Sequence, residues 1–169
     1  MQGAEIHLLL GPKKRAVLGD SRARSHEGSI DVDDWNFGLS VKEDLAKAKT
    51  TGAQGSGNQA DVSDIQITKG IDRSSPALMQ LVASGDELTE ATMQMIHRVH
   101  LNVRVTLRLT DVRLTDYKIV VAGDGGSVTL IETIRMSFNK VKVEYQARAS
   151  APGAGKSGGG TRSFEIKLT

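Results

Sequence analysis

Apolar and polar residues alternate with a period of two through most of the chain. Ile6, Leu8 and Leu10 share one face, opposite Glu5, His7 and Leu9. Leu101, Val103, Val105, Leu107 and Leu109 alternate with Asn102, Arg104, Thr106 and Arg108, the mark of a half-buried strand. Val128, Leu130, Ile134, Met136 and Phe138 keep one parity, with Glu132 as the exception in their row. Val141, Val143 and Tyr145 keep the other. Ile65, Ile67 and the β-branched Thr68 suit a further extended segment, and residues 163–168 alternate as a last strand.

The parity changes at four places: near Asp33-Asp34, near Thr110-Asp111, between Leu114 and Tyr117, and at Asn139-Lys140. Each slip turns the apolar face over unless a bulge, bend or turn intervenes. Strands that bend this often predict a small closed or nearly closed β-barrel of antiparallel strands, with the last strand needed to close it.

Helix signals are few. Ser75 is placed to cap a short helix beginning at Pro76, where a missing N–H costs nothing. Gly85 can end it in a left-handed conformation. The predicted helix spans about 76–84 and aligns Leu78, Leu81 and Val82 on one face. Over 88–98, helix propensity and strand alternation balance. The stretch Gly123-Asp124-Gly125-Gly126 predicts a hairpin connection. Two segments, about 46–60 and 150–160, are rich in Gly and small polar residues and are expected to be flexible excursions from a single domain spanning 1–169.

Composition narrows the function classes. The chain has 169 residues, 38% apolar but only 4% aromatic, enough for one mostly aliphatic core. Lys plus Arg number 22 and Asp plus Glu 20, too balanced for a nucleic-acid binder. With no cysteine, disulfides, zinc-thiolate sites and a thiol nucleophile are excluded. No run approaches a membrane helix, and the start lacks the basic and apolar regions of a cleavable signal peptide. Export, if it occurs, is expected by another route.

Several patterns resemble chemistry without completing it. Gly155-Lys156-Ser157 lacks the upstream glycine and following helix of a phosphate loop. His97 and His100 fall on opposite faces of a strand, without acidic ligands at metal spacing. The histidines, His7 and His26 included, read as surface or partly buried structural residues. Asp31, Asp33 and Asp34 lack the glycine and terminal Glu of a calcium loop and read as a solvated edge. Gly55-Ser56-Gly57 lacks the spacing of a nucleophile elbow. No nucleophile, base and oxyanion site come together, and no catalytic residue, cofactor or metal site is expected.

Six pieces, in order, resemble the Hcp (haemolysin-coregulated protein) family of type VI secretion systems. They are Gly19-Asp20-Ser21 followed by His26; Ile30-Asp31-Val32 followed by Trp35-Asn36-Phe37-Gly38; Thr68-Lys69-Gly70-Ile71-Asp72 with Ser75-Pro76; Thr133-Ile134-Arg135-Met136-Ser137-Phe138; Val143-Glu144-Tyr145; and Phe164-Glu165-Ile166. The low aromatic content and the 39–60 connection depart from the family. The resemblance makes 88–98 a strand. It implies a phage tail-tube-like β-barrel with one flanking helix, assembled as homohexameric rings that stack into a tube. Such a tube sits in a contractile sheath, carries a VgrG-type spike and effector proteins, and moves from the cytoplasm to the outside or into a target cell. Neither enzymatic activity nor membrane insertion is implied. The alternative reading is a monomeric ligand-binding β-barrel. Family-motif residues with structural roles are then Trp35, Phe37, Gly38, Thr68, Lys69, Asp72 and Pro76. Trp35 and Phe37 share a core-directed face, so Asn36, with Asp34, is expected to line the ring lumen and face cargo.

Overall fold

The computed structural model describes residues 4–12, 16–41, 60–97, 103–124, 127–147 and 160–168. These form eleven strands and one helix: β1 (Ala4–Leu10), β2 (Ile30–Asp31), β3 (Asp34–Asn36), β4 (Leu39–Val41), β5 (Ala60–Val62), β6 (Ile65–Gly70), α1 (Ser75–Ser84), β7 (Glu87–His97), β8 (Val103–Asp124), β9 (Ser127–Ser137), β10 (Lys140–Ala147) and β11 (Thr161–Lys167). The stretch 88–98 is therefore a strand over its described residues. Most of 46–60 and of 150–160, the Gly155-Lys156-Ser157 motif, and His100 lie outside the described residues.

Nine strands make one antiparallel sheet in the order β2-β1-β7-β8-β9-β6-β3, with β10 and β11 attached along β8; β4 and β5 pair separately. The two ends of that path, β2 and β3, are neighbours in sequence. Asp31 and Asp34 are three residues apart, at most about 10 Å of chain, so the sheet must curl until its ends meet. Two consecutive amides bridge the seam. Val32 N–H donates to the Ile6 carbonyl (3.0 Å) and Asp33 N–H to that of Thr68 (2.9 Å). The predicted slip at Asp33-Asp34 is this crossing, and the fold is barrel-like without one continuous closed ladder.

The other slips also have physical causes. Strand β8 runs beside β10 over its first part and beside β9 over its second. Between them Asp111 adopts φ 53°, a left-handed kink that Asp residues tolerate. Asn139 faces the kink, donating its backbone N–H to Thr110 (3.0 Å) and its side-chain amide to Asp111 (3.3 Å). A bulge separates Leu114 from Asp116, which accounts for the change of face before Tyr117.

Ile6, Leu8, Leu10, Ile65, Ile67, Met93, Leu107, Leu109, Ile134 and Met136 are buried in one cluster, and Leu78 of α1 joins them. Leu81 and Val82 pack at its margin, as the helical spacing predicts. Gly85 ends α1 with φ 69° and donates to the Leu81 carbonyl. The cap itself needs correction. Ser74, not Ser75, occupies the N-cap position, and it makes no side-chain cap bond. Ser75 is the first helical residue, and its hydroxyl is used elsewhere.

Candidate functional site

Three features stand out: a buried polar knot at the start of α1, a histidine stack outside β1, and uncovered apolar and edge surfaces on β8 to β11.

The knot grows from the Thr68-to-Pro76 motif. Lys69 lies on β6 and its side chain is 1% exposed; Glu132, its ladder partner on β9, is fully buried. The Lys69 ammonium donates to Glu132 and to Asp72 Oδ1, the latter at 2.8 Å. Ser75 Oγ donates to Glu132 Oε1 (3.1 Å) and accepts the Asp72 N–H (3.0 Å). Tyr117 donates its phenol to the other Glu132 oxygen. Asp72 Oδ1 also takes the Ser74 N–H (2.8 Å) and hydroxyl, so the Asp72 carboxylate holds the helix entry where a cap residue would. Burial alone would raise the Asp72 pKa. Hydrogen bonds from Lys69 and Ser74, with the charge of Lys69, outweigh it and hold the carboxyl below its ordinary value. Burial first, then the bond to Glu132 and its charge, push the Tyr117 phenol above its ordinary range. Every polar side chain here is bonded to another, which suits a staple joining β6, β9, β8 and α1 and leaves no free reactive group.

The second feature is the loop 18–29. Gly19 N–H donates to the Gly28 carbonyl (2.9 Å), Ser21 N–H to that of Ser29 (3.1 Å), and Gly28 N–H to that of Ser21 (2.9 Å). Gly19 is required, because a Cβ there would sit 2.4 Å from the Ser29 oxygen. The loop folds back over β1 and places the His26 ring on that of His7, with centroids 4.3 Å apart and planes within 7°. His7 therefore reaches only 5% exposure, deeper than its outward-facing parity predicts. Its Nδ1 lies 2.9 Å from Asp31 Oδ1. Its Nε2 is buried without a hydrogen-bond partner among the described residues, 3.8 Å from Glu5 Oε2. A buried unpaired group of this kind costs about 1–3 kcal/mol. A cavity of about 520 Å³ lies beside the stack, lined by His26, Leu18, Thr92, Gln94, Glu90 and Arg108 among others.

The other predicted residues are dispersed. Trp35 and Phe37 are half-buried and pack against the core, while Asp34 and Asn36 are exposed on β3. Phe37 meets Phe138 with ring centroids 6.2 Å apart. Gly38 is tied to Ser63 Oγ (2.8 Å). Thr68 pairs with Asp34 in the ladder, Lys69 and Asp72 meet in the knot, and Pro76 is exposed at the start of α1. Trp35→Ala is expected to cost no more than the lower end of the roughly 3–5 kcal/mol typical of buried aromatics, because Trp35 is only half-buried; urea denaturation measures it. Among the described residues, no three His, Cys, Asp or Glu side chains are grouped to hold a metal ion.

Sequence reasoning missed Glu132, Tyr117 and His7. Glu132 left a signal, a charge in an apolar row. His7 and Tyr117 left none of their own.

The third feature is surface. Beyond Ile131, β8 and β9 continue as a ribbon that, among the described residues, pairs only with itself. Val121, Leu130 and Val128 share one face of it and are 49–76% exposed. Strand β11 pairs with β10 alone, and among the described residues its other edge has no partner. Phe164 and Tyr145 are exposed there.

Together these features define a mainly β, barrel-like protein with, among the described residues, one flanking helix and a polar knot of structural character. The family model "Type VI secretion system effector, Hcp" matches residues 7–145. Protein hcp1 of Pseudomonas aeruginosa is 31% identical over 143 residues, covering 85% of each chain. Among solved structures, Hcp1 from Salmonella typhimurium aligns with a TM-score of 0.70 at 24% identity, covering 99% of this chain and 96% of that one. A type VI secretion system effector from Yersinia pestis aligns with a TM-score of 0.64 at 23% identity, covering 96% and 99%. The chain belongs to the Hcp family, the tube and effector proteins of type VI secretion.

Proposed function

We propose that this chain is a structural subunit of the type VI secretion inner tube, forming homohexameric rings that stack and are exported from the cytoplasm with a VgrG-type spike, inside a contractile sheath. One observation carries the reading beyond family membership: among the described residues, two different surfaces are left uncovered, the apolar ribbon of β8–β9 and the outer edge of β11. A two-stranded ribbon is marginal alone in water, and an exposed edge invites pairing. Two unlike patches that fit each other make a heterologous contact, which closes into a ring when its rotation closes. The subunit's role is assembly and transport, without catalysis.

The alternative, a monomeric ligand-binding barrel, requires interior space. Leu8, Leu10, Ile30, Ile65, Ile67 and Ile134, all at 0% exposure, fill the interior instead, which favours the tube reading. Native mass spectrometry at micromolar concentration is expected to give about six copies of the 18.1 kDa chain; a single-copy species throughout would refute the ring.

Within the ring, Asp34 and Asn36 line the lumen and touch cargo. Asn36→Arg is expected to leave ring mass and thermal midpoint unchanged and to alter retention of a co-expressed effector. Unchanged retention would remove Asn36 from the cargo surface.

A further inference from the structure

We propose that the stacked His7–His26 pair is a proton-operated latch. It holds residues 18–29 over the outer face of β1 near neutral pH and releases them when both rings carry charge. This device lies within one subunit, so it stands or falls independently of ring formation.

The geometry sets the two states. His7 sits between two carboxylates, Asp31 at 2.9 Å from Nδ1 and Glu5 at 3.8 Å from Nε2. With both ring protons in place, it donates to one and points its second N–H toward the other, giving the bare Nε2 a role. A second proton on His26 would set two cations face to face at 4.3 Å, where repulsion is strong in a partly buried setting.

The groups around His26 come from every element against it. They are His7 and Glu5 on β1, Asp31 on β2, Arg104 and Arg108 on β8, Glu90 on β7, and Glu27 in the loop itself. Their balance opposes charge on His26. Desolvation first, then the positive charges of His7 and Arg104, lower its pKa, against smaller raising contributions from Glu5 and Asp31. For a base whose pKa is depressed in the closed state, the closed state is fully favoured above the ordinary value of 6.5. It loses ground as pH falls through 6.5 toward the depressed value, because the open loop takes up the proton more readily.

Release has a structural consequence. The loop leads directly into β2, which pairs with β1 at His7 and Leu8. Opening uncovers the outer face of β1 around His7, while β2 stays paired along the edge through the buried Ile30, so acid would change which face of β1 the subunit presents.

Hydrogen–deuterium exchange of the full-length protein at pH 7.5 and pH 4.5, corrected for intrinsic rates, tests the latch. Peptides covering 17–31 report the Gly19, Ser21 and Gly28 amides, and peptides from β8 serve as control. Wild type is expected to lose protection in 17–31 about tenfold or more, while β8 stays protected. His26→Phe keeps a stacked ring without the charge and is expected to hold its protection within about twofold of the neutral value. Arg104→Gln removes a charge facing His26 and is expected to shift release to lower pH, a readout that remains if His26→Phe folds poorly. Equal protection of wild type at both pH values, or an undiminished acid loss in both variants, would overturn the proposal.

Discussion

Glu132→Ala is expected to lower the unfolding free energy by about 3–5 kcal/mol, the usual cost of removing one partner from a buried ion pair. The alanine leaves the Lys69 ammonium, 1% exposed, with Asp72 as its remaining carboxylate. It also strips the acceptor from Ser75 and Tyr117. In a domain whose whole stability is about 5–15 kcal/mol, this is a fifth or more of the total. Lys69→Ala should cost a similar amount, because Glu132 then keeps only hydroxyl donors. The double replacement Lys69→Met with Glu132→Leu should cost much less than the sum, since apolar side chains of similar volume replace a buried pair at little penalty. Urea unfolding at one fixed protein concentration measures all three. A Glu132→Ala cost below about 1 kcal/mol, the range of exposed pairs, would mean that water reaches the knot. Asp72 adds a pH dependence to the same staple. Its pKa is lowered on folding, so its contribution is present above the ordinary value of 3.8 and is lost as pH falls through the depressed one.

The strands were legible because a sheet buried on one face writes a period of two into its residues. The four parity slips marked where the chain bends, and each has its counterpart: the seam crossing, the left-handed Asp111, the bulge after Leu114 and the corner at Asn139. The slip at Asp33-Asp34 identified a change of face but not that consecutive residues serve opposite ends of one sheet. That fact depends on long-range pairing of β1 with β2 and of β6 with β3. The site was less legible for the same reason. Lys69 and Asp72 are three residues apart and form a local motif. Glu132 joins them across 63 positions, and it stood out only as a charge in an apolar row. The cap position was misread because Ser74 and Ser75 are both good cap residues, and Asp72 reaches the helix entry first. His7 looked solvent-facing by parity. Only the return of a loop eleven or more residues away buries it.

Breaking the ribbon or the β11 edge is expected to reduce the assembly from about six copies to one, and mixing the two broken forms should restore a single contact. Val121→Glu with Leu130→Glu places like charges directly opposite each other on the ribbon, ending its apolar face while leaving the β11 edge intact. Ser163→Pro with Phe164→Glu removes a donor from β11 and charges its exposed ring position, leaving the ribbon intact. Neither pair touches the core, since Val121, Leu130 and Phe164 are 48–68% exposed, so circular dichroism should be unchanged. Each variant alone has one good surface and no good partner for it. Mixed, the ribbon of the second fits the edge of the first, and the chain of contacts stops there because the next surface on either side is broken. The expected product is a one-to-one dimer by native mass spectrometry. Rings that persist in either variant would place the contact elsewhere on the subunit. Monomers in both that stay monomeric on mixing would show that ribbon and β11 edge do not meet each other, because only a head-to-tail contact between these two patches is rescued by combining one intact copy of each.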